Sequence, residues 1–243
     1  MPTYNEAANI ARIVQRAGAE LERHANDGYR ILIVDDNSPD GTGEIADELA
    51  SRFDWVEAMH RGGKQGLGHA YRAGFGHALA AGAEILVQMD ADFSHDPRYL
   101  GDLLEAVAEA DLVLGSRYVP GGGVRDWGLL RRAVSRGGGL YARTILGIPI
   151  RDLTGGFKCM RREVLESVEL DTVRADGYGF QIEVTYRAVR AGFRVVEVPI
   201  VFADREAGTS KMSAEIAVEA MLLVPHLRGW RPAVTPRRLD SPV

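Results

Sequence analysis

The chain has little cysteine and no excess of positive charge. Cys159 is the only cysteine in 243 residues, so no internal disulfide can form and a reducing compartment fits. The formal net charge is −5 at pH 7, and this acidic balance argues against nucleic acid as the main partner.

The sequence also shows no pattern typical of a leader peptide or of a membrane span. The first six residues lack a charged segment followed by an apolar one, so no signal peptide is expected. The best candidate span, residues 216–230, is short and contains Glu219, Pro225 and Arg228. We therefore expect a soluble or peripheral chain that acts in the cytoplasm, on the inner face of a membrane.

Apolar residues, at 46% of the chain, are sufficient for a packed core. The pattern predicts one catalytic domain over residues 1–230, followed by a flexible tail at 231–243. Within the domain, residues 1–116 are expected to form a nucleotide-binding half and residues 117–230 an acceptor-binding half.

Strands and helices alternate as far as residue 116, which predicts an α/β fold with a doubly wound, mainly parallel sheet. Asn5 is expected to cap the first helix, and residues 85–89 read as a short buried strand. The second half is less regular, with a segment rich in Gly and Arg after residue 116 and a helix near residues 179–191.

The first strand of this sheet is not seen in the pattern, so either the start has been placed too late or the strand is missing. Such a sheet opens with an apolar strand, yet the pattern begins at what reads as the loop after it. An empty central position would leave backbone groups on both neighbouring strands without partners.

The most informative feature is the pair of carboxylates at Asp90 and Asp92, directly after the strand at residues 85–89. Strand ends are where open α/β sheets bind ligands. Two neighbouring carboxylates are costly there unless a cation lies between them. Mg²⁺ or Mn²⁺ shared with a phosphate-bearing substrate is the simplest such cation.

Two nucleotide motifs are rejected. Residues 41–46 imitate a dinucleotide fingerprint, but acidic residues separate them from the preceding strand. No Gly-rich loop ending in Lys-Ser or Lys-Thr is present. Asp36 is instead a candidate to accept hydrogen bonds from a base N–H or a ribose hydroxyl.

Residues 116–151 carry seven arginines and one acidic residue, Asp126. The pattern leaves two interpretations open. It is either a solvated helix face or a surface for a phosphorylated ligand or an anionic membrane.

Six segments, in order, carry a family resemblance: residues 2–6, 34–42, 89–92, 115–118, 152–157 and 205–211. Together they resemble the polyprenol-phosphate (dolichol-phosphate) mannosyltransferases, which are inverting glycosyltransferases of the GT-A fold. The likeness extends from residue 1 to about residue 225. The chain departs from the family at the missing first strand, at the absence of the C-terminal anchors that some relatives carry, and at Ser94, where some relatives have Gln.

The resemblance implies a function in glycolipid biosynthesis: transfer of mannose from GDP-mannose to a polyprenyl phosphate, with inversion. It implies the following site residues. The donor would be held by Pro2, Tyr4, Glu6, Val34, Asp36, Ala91, Gln181, Arg205 and Lys211. Asp90, Asp92 and Ser94 would hold Mg²⁺ or Mn²⁺. Arg117 and Arg131 would hold the acceptor phosphate, with Arg132 as the alternative to Arg131 and Glu183 as a weaker candidate beside Gln181.

A lipid monophosphate, with a second pKa near ~6, is largely dianionic at neutral pH and needs cationic guidance more than a general base. Three other functions stay open: a glucosyltransferase that uses UDP-glucose, an inactive module that recruits a membrane partner, and, least favoured, a nicotinamide-dependent dehydrogenase. A basic surface or a separate membrane protein would hold the chain near its lipid.

Overall fold

The computed structural model describes residues 1–173, 175, 177–203 and 222–232. The predicted helix near residues 213–227 and the predicted tail at 231–243 therefore lie largely outside the described residues, as do Arg205 and Lys211. Within the described part of the chain, no helix combines the length and the apolar character needed to cross a bilayer.

The described residues form nine strands, and most neighbouring strands run parallel, as predicted. The strands are β1 (Pro2–Thr3), β2 (Ile31–Asp35), β3 (Val56–His60), β4 (Ile85–Gln88), β5 (Leu112–Ser116), β6 (Gly123–Val124), β7 (Lys158–Arg161), β8 (Val195–Pro199) and β9 (Val201–Phe202). They form three sheets, in the orders β1-β2-β3, β4-β7-β5-β8 and β6-β9. The exception is β7, which runs antiparallel to both of its neighbours, β4 and β5.

Helices pack against these strands and confirm the α/β class. They are α1 (Ile10–His24), α2 (Thr42–Arg52), α3 (Leu67–Ala80), α4 (Leu100–Val107), α5 (Leu129–Leu146), α6 (Arg162–Ser167) and α7 (Gly177–Arg190). One apolar cluster lies around β2, α1 and α4, and a second lies around β5, α6 and α7. Both clusters use the apolar periodicity seen in the sequence.

Two local predictions were wrong. The residue before α1 is Asn9 rather than Asn5, whose φ of 60° belongs to a left-handed turn. The Gly/Arg-rich segment contains the 18-residue helix α5, which the sequence did not predict. Three consecutive glycines, residues 137–139, obscured it because glycine is a poor helix former.

The first strand is present only as β1, which pairs Pro2 with Val34 and Thr3 with Asp35. Beyond it, β2 and β4 are not hydrogen-bonded to each other. A cleft of about 810 Å³ separates them and is lined by apolar residues that include Ile31, Leu32 and Val87. Pro2 and Thr3 therefore belong to a strand rather than to the loop that the sequence predicted.

Candidate active site

The carboxyl ends of β1, β2, β4 and β5 open into one cavity of about 390 Å³. After each of these strands a polar side chain lines the cavity: Glu6 follows β1, Asp36 follows β2, Asp90 follows β4 and Arg117 follows β5. This is the edge at which an open α/β sheet binds ligands.

Most of the predicted site residues lie together here. The cavity is lined by Pro2, Tyr4, Glu6, Asp36, Asp90, Ala91, Asp92, Ser94, Arg117, Arg131 and Gln181. Val34 does not line this cavity: its side chain is buried, faces Gly74 of α3 and lines the cleft between β2 and β4. Its contact with the donor stays a prediction.

A tight turn at residues 90–95 orients the carboxylate pair. The backbone N–H and the hydroxyl of Ser94 both donate to Asp92 Oδ1, at 3.0 and 2.5 Å. Phe93 adopts a φ of 63°, which is uncommon for a bulky side chain. Because Ser94 is already bonded to Asp92, its hydroxyl supports the carboxylate as well as lining the cavity.

Asp90 is oriented from the opposite side. The Tyr71 hydroxyl donates to Asp90 Oδ1 at 2.9 Å, and the Asp90 backbone N–H donates to His95 Nδ1 at 3.0 Å. Burial lowers the pKa of His95, and an acceptor Nδ1 places the proton of the neutral ring on Nε2. Tyr71 was not predicted as a part of the site.

The carboxylate pair fits a hard divalent cation. Two carboxylates and a hydroxyl within five residues are the oxygen donors that Mg²⁺ and Mn²⁺ prefer. Among the described residues, no cluster of three or more His, Cys, Asp or Glu side chains is placed to hold a metal. Two protein carboxylates suit an ion whose other ligands come from substrate phosphate and water.

Arg117 is held by a buried ion pair. Its Nε donates to Asp152 Oδ2 at 2.7 Å, and its Nη2 donates to Asp152 Oδ1 at 2.6 Å and to the Thr154 hydroxyl at 2.8 Å. Burial would lower the pKa of Arg117, but Asp152 outweighs it and the pKa is raised. The pair uses Nε and Nη2, so Nη1 is left for other contacts at the cavity wall.

Arg131 reaches the same cavity from α5. Its guanidinium carbon lies 4.1 Å from the centre of the Trp127 ring, within cation–π distance. Trp127 and Phe202 also line the cavity and were not predicted, although Trp127 lies within the basic segment that stood out in the sequence. Arg117 and Arg131 thus line the same cavity as Asp90.

The end of the cavity near β1 and β2 is more charged than expected. Arg61 forms an ion pair with Asp36, and Lys64 lies 4.5 Å from the centre of the Tyr4 ring. Burial raises the pKa of Asp36 against the opposing effect of Arg61. Arg61 and Lys64 come from the loop after β3, and the Gly-rich sequence of that loop was the signal that could have indicated them.

Gln181 and Glu183 have different surroundings in the structure. The side chain of Gln181 is buried, lines the cavity, and both its amide atoms have no hydrogen-bond partner among the described residues. Glu183 forms a buried ion pair with Arg187 within α7. Glu183 therefore supports the helix and lies outside the cavity wall.

Comparison with known proteins agrees with this geometry. The family model described as glycosyl transferase family 2 matches residues 1–169. The chain is 52% identical over 226 residues to the polyprenol monophosphomannose synthase of Mycolicibacterium smegmatis, covering 92% of this chain and 83% of that protein. It is 46% identical over 224 residues to the undecaprenyl-phosphate mannosyltransferase of Micrococcus luteus, covering 92% and 90%.

Solved structures agree on the fold. Glucosyl-3-phosphoglycerate synthase from Mycobacterium tuberculosis, crystallised with Mn²⁺, UDP-glucose and phosphoglyceric acid, superposes with a TM-score of 0.66 at 21% identity. The match covers 94% of this chain and 78% of that one. The fold is GT-A, as the resemblance implied, and the chain belongs to glycosyl transferase family 2, within its polyprenol-phosphate mannosyltransferases.

Proposed function

We propose that the chain transfers mannose from GDP-mannose to a polyprenyl monophosphate and inverts the configuration at the sugar C1. The observation that carries this proposal is that a carboxylate pair, Asp90 and Asp92, and two arginines, Arg117 and Arg131, line one cavity. The names of the two relatives described above supply the acceptor class and the sugar.

The donor lies, in this proposal, along the ends of β1 and β2. Tyr4 packs near the base, with Pro2, Glu6 and Asp36 around the nucleoside and Ala91 beneath the diphosphate. The pairing of Asp36 with Arg61 leaves a carboxylate that is oriented before the nucleotide binds, which lowers the cost of ordering it. Arg205 and Lys211 are proposed to contact the diphosphate.

Asp90, Asp92 and Ser94 would hold Mg²⁺ or Mn²⁺. When bound, the ion would neutralise the negative charge that develops on the departing GDP. The residues beneath this pair have a different role, because Tyr71 and His95 fix the position of Asp90 through the bonds described above. Carboxylates held in this way need little rearrangement during the reaction.

The acceptor phosphate is already ionised and serves as the nucleophile. One of its oxygens forms a bond to the sugar C1 while the C1–O bond to the diphosphate breaks, and the electron pair leaves with GDP. Arg117 and Arg131 offset the repulsion between the two phosphate groups and align the attack. A single displacement converts an α-linked donor into a β-linked product.

We further propose that residues 1–116 bind the nucleotide and residues 117–230 the acceptor within one catalytic domain. The site would work on the cytoplasmic face of a membrane, with the chain attached peripherally. A basic surface or a separate membrane protein would supply the attachment, because the acceptor itself is a membrane lipid.

A donor and acceptor panel tests the proposal. The purified chain is incubated with Mg²⁺ or Mn²⁺, a polyprenyl phosphate, and GDP-mannose, GDP-glucose, UDP-glucose or UDP-mannose, and the labelled lipid is extracted. We expect mannose from GDP-mannose in the lipid phase, with a β linkage by NMR. A preference for UDP-glucose would support the glucosyltransferase alternative. The absence of any lipid-linked sugar would support the inactive binding module.

A further inference from the structure

Trp127 contacts both of the arginines that line the cavity. Its side chain is buried, and its ring centre lies 4.1 Å from the guanidinium carbon of Arg131 and 5.6 Å from that of Arg117. Both distances lie within the roughly 6 Å over which an aromatic ring attracts a cation. One indole ring is therefore a common support for the two cationic groups.

Phe202 adds a second ring to this support. It packs edge-on against Trp127, with the ring centres 5.6 Å apart and the ring planes at 75°. The guanidinium carbon of Arg117 lies 5.4 Å from the centre of the Phe202 ring. An edge-to-face arrangement is one of the favoured geometries of aromatic pairs. We name Trp127 and Phe202 the aromatic platform.

The aromatic platform is also in contact with the residue that orients Asp90. Phe202 packs edge-on against His95 at 5.7 Å, and His95 stacks on Phe157 at 5.0 Å. His95 in turn accepts a hydrogen bond from the Asp90 backbone N–H. Packed rings therefore extend without interruption from Arg131 to the turn that carries Asp90, and close packing of this kind transmits and resists displacement.

Hydrogen bonding does not account for the position of the indole. The Trp127 Nε1 is buried and has no hydrogen-bond partner within the described part of the chain, although a buried indole N–H usually finds one. The ring contacts therefore fix Trp127 at the cavity wall.

A ring face suits an arginine that must also bind an anion. Two guanidinium cations at one cavity repel each other, and a ring face attracts each of them without cancelling its charge. A carboxylate would occupy the N–H donors that grip a phosphate, whereas a stacked ring leaves the donors at the edge of the guanidinium available.

We propose that Trp127 and Phe202 are positioning residues whose aromatic platform orients Arg117 and Arg131 for an incoming phosphate monoester. The inference rests on the proposed function, in which these two arginines hold the acceptor phosphate. Because the aromatic platform acts on the acceptor through the arginines, removing a ring should raise the KM for the acceptor and leave the KM for GDP-mannose unchanged.

Steady-state kinetics with a short-chain, water-soluble prenyl phosphate test the proposal. For Trp127→Leu we expect the KM for the acceptor to rise about tenfold, with the KM for GDP-mannose within about twofold of the unmodified value. Trp127→Phe keeps an aromatic face and should restore most of the loss. Phe202→Leu should raise the acceptor KM by about threefold, because Trp127 still supports both arginines.

Phe53→Leu is the matched control. Phe53 stacks on Trp55 at 4.8 Å and has the Arg52 guanidinium carbon 5.2 Å from its ring centre, so it makes the same kinds of contact outside the cavity. This variant should leave both KM values unchanged. Thermal unfolding checks the fold of every variant, and the half-buried Phe202 keeps the proposal testable if Trp127→Leu does not fold.

Three kinetic outcomes would overturn the proposal. They are an unchanged acceptor KM in the folded leucine variants, equal rises in the KM values of donor and acceptor, and a Trp127→Phe variant as impaired as Trp127→Leu. The second of these would indicate a general structural role.

A binding measurement separates this inference from the proposed function. The chain, loaded with Mn²⁺ and GDP, is titrated calorimetrically with the same prenyl phosphate, so that no turnover is needed. Weaker binding by the leucine variants, without transfer by the unmodified chain, would contradict the proposed function alone. Transfer by the unmodified chain, with unaltered acceptor affinity in the leucine variants, would contradict the aromatic platform alone. No binding by the unmodified chain would contradict both.

Discussion

Arg117 and Asp152 form a buried ion pair in which two guanidinium nitrogens donate to the two carboxylate oxygens, at 2.7 and 2.6 Å. The Arg117 backbone N–H donates to the same carboxylate at 3.0 Å. Three bonds from one residue to another fix the guanidinium at the cavity wall. Asp152 is therefore a positioning residue for the arginine that is proposed to meet the acceptor phosphate.

Replacing Asp152 with Asn should destabilise the fold and impair transfer together. Removing one partner of a buried pair leaves a buried charge and costs about 3–5 kcal/mol. Urea unfolding at pH 7 measures that loss. The exposed Asp54 supplies the matched control Asp54→Asn, which should change the free energy of unfolding little.

The same variant has a predictable pH dependence. Burial would raise the pKa of Asp152, but Arg117 outweighs it and the pKa is lowered. The stabilisation is therefore present above the ordinary carboxyl pKa of about 3.9 and is lost as the pH falls toward the lowered value. A stability difference between the two proteins that stayed constant down to pH 3 would contradict this assignment.

Asp92→Asn should weaken metal binding and lower kcat/KM by about a hundredfold or more, because one carboxylate charge is lost from the proposed metal site. Calorimetric titration with Mn²⁺ and GDP gives a readout that does not depend on turnover. Asp47→Asn, at an exposed carboxylate on α2, should leave both measurements unchanged. Unaltered Mn²⁺ affinity in the Asp92 variant would refute the metal assignment.

Gln181→Leu should change stability and activity in opposite directions. The amide is buried without a partner among the described residues, and an unsatisfied buried amide costs about 1–3 kcal/mol. Leucine removes that cost, so the midpoint of thermal unfolding should rise. If the amide bonds to the sugar, transfer should slow, and a variant that gained stability but kept full activity would place the sugar elsewhere.

Lys158→Met should stabilise the protein at neutral pH by a few kcal/mol, because Lys158 is buried in β7 and burial lowers its pKa to about 7. Its ammonium donates to the Gln181 carbonyl, which also accepts from Thr185 and so keeps a partner in the variant. Chemical unfolding from pH 6 to pH 10 measures the effect.

The direction in which stability changes with pH follows from proton linkage. Between the folded pKa of about 7 and the ordinary value of 10.5, the unfolded chain binds more protons, so the stability of the unmodified protein rises with pH through that window. The methionine variant should lack this rise. Parallel pH profiles for the two proteins would show that Lys158 titrates normally in the folded state.

The cleft between β2 and β4 predicts the effect of an added strand. The Met1 amino group donates to the Leu32 carbonyl at 2.9 Å and so begins the ladder beside β2. A five-residue extension of valine and isoleucine before Met1 should continue the ladder, fill the apolar cleft and raise the midpoint of unfolding by several degrees. A Gly-Ser extension of equal length is the control, and equal midpoints for the two extensions would contradict pairing in the cleft.

The family and the chemistry of the site were readable from the sequence because they depend on local order. Asp90 and Asp92 follow a buried apolar strand, and strand ends in this class of sheet form the binding edge. Asp36 was identified from the chemistry of the turn after β2, whereas Arg117 and Val34 were implied only by the family resemblance. Arg117 lines the cavity and Val34 lines the neighbouring cleft.

The tertiary structure determined the side-chain contacts that no local sequence pattern predicts. Arg61 pairs with Asp36, 25 positions away, and Arg117 pairs with Asp152, 35 positions away. Such distant residues meet only because the packing of helices and strands brings their segments together. Likewise, α5 forms despite three consecutive glycines, and only the folded chain shows that its leucines face outward. The sequence alone determined which chemical groups are available and in what order they occur along the chain. The packing of distant segments determined which of these groups are in contact and which are exposed, because burial and long-range contact are properties of the whole fold.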